Sequence, residues 1–307
     1  MKISPLQQAL CADRSQLTGG PDPNDWITPA LPTGWRLLSF HFFVDWSQPA
    51  PQLGRRVWMT RLVHLAGCCP EFAALEEQLL RCFSESSDYQ YFTDLEQVCR
   101  VYDDNVSVIL LPEMPVRDVT WSTPAWVVGR RAVSAGLRIR RASIHDMAEA
   151  IKRHSGGPVR VGNKGLKFGT SAIECFLSTS DAAFPGDADG VIVDDQNRVR
   201  CVVEYKKHTL SDELGNHLMP RYYPRPDGRK YQRLAALAAH YSALNRARVP
   251  MVVLYYSTRK PVIRLQEIGS LDSQRVFISR DSGDLVICNA APRETSEKVV
   301  RWLELYS

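Results

Sequence analysis

The chain has 307 residues, of which 44% are hydrophobic and 23% charged, and a formal net charge of +4 at pH 7. That length accommodates one large or two modest domains, each with its own core, and the composition is ordinary for a globular protein. No apolar run reaches 18 residues and no charged-then-apolar leader opens the chain, so the expectation is a cytoplasmic protein with no membrane partner. The eight cysteines, Cys11, Cys68, Cys69, Cys82, Cys99, Cys175, Cys201 and Cys288, show no CxxC or Cys/His ligand spacing and are expected to be reduced, buried thiols.

Residues 1 to 32 are polar and rich in Pro, Gly and Asp, as in Gly19-Gly20-Pro21-Asp22-Pro23, and read as an irregular arm. Two runs dense in aromatic and aliphatic residues, Trp35 to Trp46 and Val57 to Leu65, are strand candidates. Glu71 to Phe83 spaces Phe72, Leu75, Leu79, Leu80 and Phe83 at helical intervals, and Val106 to Leu111 is a further strand closed by Pro112. Six of the seven tryptophans fall before residue 130 and are expected in a core. This part carries no chemical motif, and its role as a recognition, regulatory or oligomerisation module stays open.

Ala142 to His154 predicts a helix with Ser143 as N-cap, ended by Gly156-Gly157-Pro158, and Thr170 to Thr179 a shorter one containing Glu174. Val191-Ile192-Val193 and Val199 to Val203 flank a polar turn, the pattern of a β-hairpin. In a symmetric hairpin without a bulge Asp194 faces Val199, and counting outward sets Asp189 opposite Glu204, with Cβ atoms about 5 Å apart. Lys206 returns to the same face by the strand's period of two, and the same count draws Asp187 towards it. The segment from His208 to Gly228 is too long and polar for an ordinary connection. Asp227 to Asn245 reads as an amphipathic helix and Pro250 to Tyr256 as a buried strand. Val262 to Leu265, Arg275 to Ile278 and Leu285 to Cys288 read as short strands, and Ser296 to Leu305 as a final helix.

Like charges opposed across a strand pair are destabilising and call for something to hold them. A Mg²⁺ ion does that, since it accepts one or two hard carboxylate ligands and keeps several waters. The basic residues are also clustered. One group runs from Arg130 through Arg138, Arg140, Arg141, Lys152, Arg153, Arg160 and Lys164 to Lys167, and another from Lys206 to Arg233. Such clustering suits a phosphate backbone, and equally a solvated face. No Walker loop, Gly-x-Ser-x-Gly elbow or dinucleotide glycine motif is present, and histidines such as His217 and His240 show no ligand spacing.

Helix, hairpin with Asp189 and Glu204-Tyr205-Lys206, helix, strand: this order resembles the core of the PD-(D/E)xK nuclease superfamily over residues 140 to 258. The resemblance implies an α/β fold with a restriction-endonuclease-like core, a mixed central sheet flanked by helices, in residues 136–307. An additional N-terminal α+β module would occupy residues 1–135. It implies a Mg²⁺-dependent deoxyribonuclease, with Mn²⁺ as substitute metal, acting in defence against foreign DNA or in DNA processing. Asp189 and Glu204 would be metal ligands, Lys206 would orient the attacking water, and Glu174 would be the helix carboxylate, with Glu149 as the alternative. Lys207, His208, Arg229, Lys230, Gln232 and Arg233 would contact nucleic acid, DNA first, with RNA left open. A homo-oligomer or protein partner through the N-terminal module also stays open. The rival expectation is a non-catalytic nucleic-acid-binding or assembly protein that keeps the fold.

Overall fold

The computed structural model describes residues 1–6, 9–11, 22–65, 72–131, 134–161, 166, 168–225, 228–287 and 291–303. Cys68, Cys69, Cys288, Gly19-Gly20-Pro21, Glu71, Lys164, Lys167 and Asp227 lie outside these residues. In chain order the elements are β1 (Lys2–Pro5), β2 (Ala9–Leu10), β3 (Arg36–Asp45), β4 (Gln52–His64), α1 (Phe72–Ser84), α2 (Ser87–Val101), β5 (Asn105–Pro112), β6 (Pro124–Arg131) and β7 (Ser134–Ser143). They continue with α3 (Ile144–His154), β8 (Phe168–Gly169), α4 (Ala172–Leu177), β9 (Gly186–Val193), β10 (Val199–His208), α5 (Gly228–Asn245), β11 (Met251–Ser257), β12 (Val262–Leu271), β13 (Val276–Val286) and α6 (Pro292–Trp302). The fold is mixed α/β, with mixed sheets flanked by helices.

The chain forms two compact units, one of residues 1–15 and 40–186, the other of residues 16–39 and 187–307. The division therefore falls at 186/187 rather than at 135/136, and the second unit takes a segment from near the N-terminus.

In the first unit β4 pairs antiparallel with β1 and β3, and parallel with β5, which continues antiparallel into β6 and β7. The parallel β4–β5 step needs a long crossover, and α1 and α2 supply it. Helix α2 was not anticipated, although Phe92, Leu95, Val98 and Cys99 recur at threes and fours and are buried. The hairpin β6–β7 was also missed, because its basic residues read as a charge cluster. Arg130 pairs with Glu96 at 2.7 Å, whereas Arg138 and Arg140 alternate outward on β7, an edge strand that such charges keep from pairing with other chains. Helix α3 begins as expected at Ser143, whose Oγ accepts the Asp146 N–H at 3.1 Å while the Asp146 carboxylate accepts the Ser143 N–H at 2.8 Å, a reciprocal cap.

Cys11 and Cys175 form a disulfide across a sequence separation of 164, which corrects the expectation of reduced thiols for this pair. Neither residue has ligand or redox-motif spacing; β2 pairing with β8 brings the segments together. Cys82, Cys99 and Cys201 are free thiols, the latter two buried. Replacing Cys11 with serine is expected to lower stability towards denaturant by about 2–4 kcal/mol, through the larger entropy of the unlinked unfolded chain. Urea titration with and without reductant checks this, and reductant should abolish the difference between wild type and variant.

The second unit is built on a five-strand array in the order β13–β12–β11–β10–β9, parallel at β10–β11 and antiparallel elsewhere. Helix α5 makes the β10–β11 crossover and packs on both strands. All seven residues of β11 are buried, as its continuous apolar run predicts. Strands β12 and β13 are longer than the short runs expected, because their outward residues are polar and hide the pattern.

Residues 22–31 are not an arm. Asp22 caps a 3₁₀ turn at Pro23–Trp26, and Trp26 and Ile27 enter the core with Val203, Leu254, Ile263 and Val299. Ser296 of α6 fastens them, its Oγ donating to the Ile27 carbonyl at 2.9 Å and accepting the Ala30 N–H at 3.0 Å.

Candidate active site

The hairpin β9–β10 sets the site. Its ladder pairs Val193 with Val199, Ile192 with Cys201, Val191 with Val202 and Gly190 with Val203, so Arg200 is an extra, bulged residue. The turn closes with the Asp194 N–H on the Arg198 carbonyl at 3.0 Å, and Asn197 takes a positive φ of 62°. The Asp194 side chain accepts the Gln196 and Arg198 N–H groups at 2.9 and 2.8 Å. From Cys201 outward the register is the one counted from the sequence, and Asp189 and Glu204 are the next residues along it.

The β9–β10 pairs end at Gly190–Val203, whereas β10 stays paired with β11 as far as His208–Ser257. Where the ladder stops, the Asp189 side chain takes over, its Oδ2 accepting the Tyr205 N–H at 2.8 Å. Burial pushes the Asp189 carboxyl up, with Asp187 adding to the shift and the Lys230 ammonium and the Tyr205 N–H opposing it.

Glu204 is fully buried, at 0% exposure. Lys230 Nζ stands 2.8 Å from Oε1 and Lys206 Nζ 3.6 Å away, so the carboxylate is charge-compensated. Burial and the neighbouring Asp189 push the Glu204 carboxyl well above its ordinary range, against the pull of Lys230 and Lys206. A buried carboxylate is costly unless it is compensated, and the two lysine ammoniums supply positive charge here.

The lysines come from different elements. Lys206 is two residues along β10 from Glu204, as the strand period requires, and its ammonium lies 5.3 Å from the Tyr231 ring centroid. Lys230 lies in the first turn of α5, and its Nζ also lies 3.6 Å from Asp187. Burial pulls the Lys230 ammonium down, but Asp187, Glu204 and Asp189 overcome this and hold it well above the ordinary lysine range. Lys230 is thus committed to the carboxylates, a role the sequence reading did not give it.

Of the other expected nucleic-acid contacts, Lys207 and Arg229 are exposed, Gln232 and Arg233 are half-buried, and His208 is buried at the end of β10. Glu174 belongs to the first unit. There it accepts the Thr170 N–H and, at 2.8 Å, the Thr170 hydroxyl, while its own N–H is capped by Ser171 at 3.1 Å. Glu149, in the same unit, lies 2.7 Å from Lys152 Nζ.

The sequence reading missed another group, in the second unit, His208, Asp212 and His217, because the eight residues between the two histidines follow no strand or α-helix period and disguise their proximity. Comparison with protein-family models, with curated proteins and with solved structures finds no match to this chain. No helix among the described residues is long and apolar enough to cross a membrane.

Proposed function

We propose that the chain is a Mg²⁺-dependent nuclease that hydrolyses DNA phosphodiester bonds in the cytoplasm, on a restriction-endonuclease-like core. The observation that carries this reading is the fully buried Glu204 carboxylate, beside Asp189 and under two lysines. The order α4, β9–β10 hairpin, α5, β11, with β10 and β11 parallel, supports it. Asp189 and Glu204 would hold the metal, a hard-oxygen donor pair of the kind Mg²⁺ and Mn²⁺ accept. When bound, the ion supplies Lewis-acid polarisation of a phosphoryl oxygen and a more acidic water.

The chain's own residues do the rest. Lys206 holds a positive charge beside the carboxylate pair, where it orients a nucleophilic water and offsets charge developing on the phosphate. Lys230 keeps the carboxylates together before the metal arrives. Lys207 and Arg229, both exposed, would contact the phosphate backbone in this reading. Defence against foreign DNA or DNA processing is the setting that suits this reading.

A second reading rests on Lys230. Its ammonium already sits on Glu204 at 2.8 Å, which compensates the buried charge without a metal and fits a non-catalytic nucleic-acid-binding protein. Incubating plasmid, linear and single-stranded DNA and RNA with Mg²⁺, Mn²⁺ or EDTA separates the two. Cleavage that needs metal and disappears in Glu204→Gln is the expected result. Wild type indistinguishable from Glu204→Gln on every substrate leaves only the binding protein.

A further inference from the structure

We infer that His208, Asp212 and His217 form a binding site for a divalent transition-metal ion of the zinc class, separate from the carboxylate pair and independent of the nuclease reading. Among the described residues this is the one group of three His, Cys, Asp or Glu side chains whose ligand atoms all lie within 4.8 Å of one another. Both imidazoles approach Asp212: His217 Nε2 lies 2.6 Å from Oδ2, and His208 Nε2 lies 3.4 Å from Oδ1 and 3.2 Å from the Asp212 backbone carbonyl oxygen. The rings lie side by side, their centroids 4.5 Å apart. A tetrahedral shell with bonds of about 2.0–2.1 Å sets ligand atoms about 3.3 Å apart, so the 2.6 Å contact would open while ligand atoms now up to 4.8 Å apart draw in.

The donor chemistry selects the metal. Two imidazole nitrogens and one carboxylate suit Zn²⁺ and its neighbours in the first transition row, whereas Mg²⁺ prefers oxygen alone.

The outer contacts are also in place. Tyr222 Oη lies 2.7 Å from His217 Nδ1, an arrangement that fixes a ligating imidazole: with a metal replacing the Asp212 contact at Nε2, Nδ1 would carry the ring proton and donate it to the tyrosine oxygen. The connecting chain is pinned by buried Leu214 and by Met219, whose N–H donates to Tyr255 Oη at 2.8 Å, so the ligands do not depend on a free loop. A cavity of about 230 Å³ opens beside the histidines, lined also by Lys206, Lys207 and Tyr222. His208 and His217 line this cavity and Asp212 does not, so a water or anionic oxygen in the fourth position would come from the histidine side, the pattern of an open zinc site. The length of the polar segment after β10 has a physical reason in this reading: it returns His217 to the end of the strand that carries His208.

The test is calorimetric titration of the EDTA-stripped, desalted full chain with ZnCl₂ in saturating Mg²⁺, with bound zinc counted after gel filtration. One equivalent is expected in wild type and in the double variant Asp189→Asn/Glu204→Gln, and none in His217→Gln. Tyr222→Phe should bind about 10–100-fold more weakly. Asp212→Asn, with a side chain more exposed than that of His208, provides a second ligand variant whose thermal unfolding confirms that loss of zinc is not loss of fold. Zinc that is not bound by wild type, is bound equally by His217→Gln and Asp212→Asn, or is lost only with the carboxylate pair overturns the proposal. Failure of the nuclease reading leaves these outcomes unchanged.

Discussion

Lys206→Ala is expected to slow metal-dependent DNA cleavage by about 10²–10³-fold, the usual cost of removing one fixed charge-stabilising group from a reacting centre. The loss should fall on kcat with KM little changed, because the ammonium acts on charge that develops during the reaction rather than on bound substrate. The geometry supports this. The side chain is 29% exposed, its Nζ is 3.6 Å from Glu204, and the ring of Tyr231 beneath it limits where the ammonium goes. It therefore reaches solvent and substrate while staying aimed at the carboxylates. Arginine is a poor substitute, since a planar fork does not fit the place of a compact ammonium. Steady-state kinetics on a defined duplex give the answer. A Lys206→Ala enzyme with wild-type kcat removes Lys206 from the reaction.

Lys230→Met is expected to cost stability rather than chemistry alone, by about 3 kcal/mol at pH 8 without metal. That is the low end of the range for leaving a buried charge uncompensated, because 33% of the Lys230 side chain still meets solvent. The pH dependence carries a definite sign. Glu204 has its carboxyl raised in the folded state, so the folded chain binds more protons than the unfolded one above pH 4.5 and stability falls as pH rises. Without the Lys230 ammonium the carboxyl rises further, and the fall with pH becomes steeper. Below pH 4.5 Glu204 is protonated in both states and the deficit should shrink. Lys230 itself is raised, so its contribution is constant until pH passes its ordinary range and does not alter this window. Mg²⁺ at pH 8 should restore part of the loss. Urea titrations at pH 5 and pH 8, with Mg²⁺ or EDTA, decide it, and an equal deficit in all four conditions means that Glu204 is not the group Lys230 serves.

The site was legible in the sequence to the extent that strand periodicity governs it. Lys206 follows Glu204 by two, and Asp189 extends the observed register to meet Glu204. The count reached that register by an unexpected route. A symmetric hairpin with a four-residue turn was assumed, whereas the chain uses a three-residue turn closed at Asp194 and Arg198 plus one bulged residue, Arg200, and the two add up to the same length. Lys230 was beyond reach, because its approach to Glu204 depends on how α5 packs, and so was the His208–Asp212–His217 group, made by irregular chain. The N-terminal segment misled for a compositional reason. Its prolines and aspartates dominate the pattern, yet the two residues that count, Trp26 and Ile27, are buried at 4% and 0% exposure. Cys11–Cys175 was invisible because a pairing 164 residues apart leaves no local trace.

The contribution of residues 16–39 to the second unit has a consequence for synthesis on the ribosome. Trp26 and Ile27, early in that unit, share a core with Val299, Val300 and Leu303, far later in the chain. Everything between them must be translated before this core closes, so closure is non-local, the regime in which folding is slow and exposed apolar surface is longest at risk. For the same reason a fragment cut at residue 187 would lack part of its own interior, whereas adding a peptide of residues 16–39 in trans supplies what is missing.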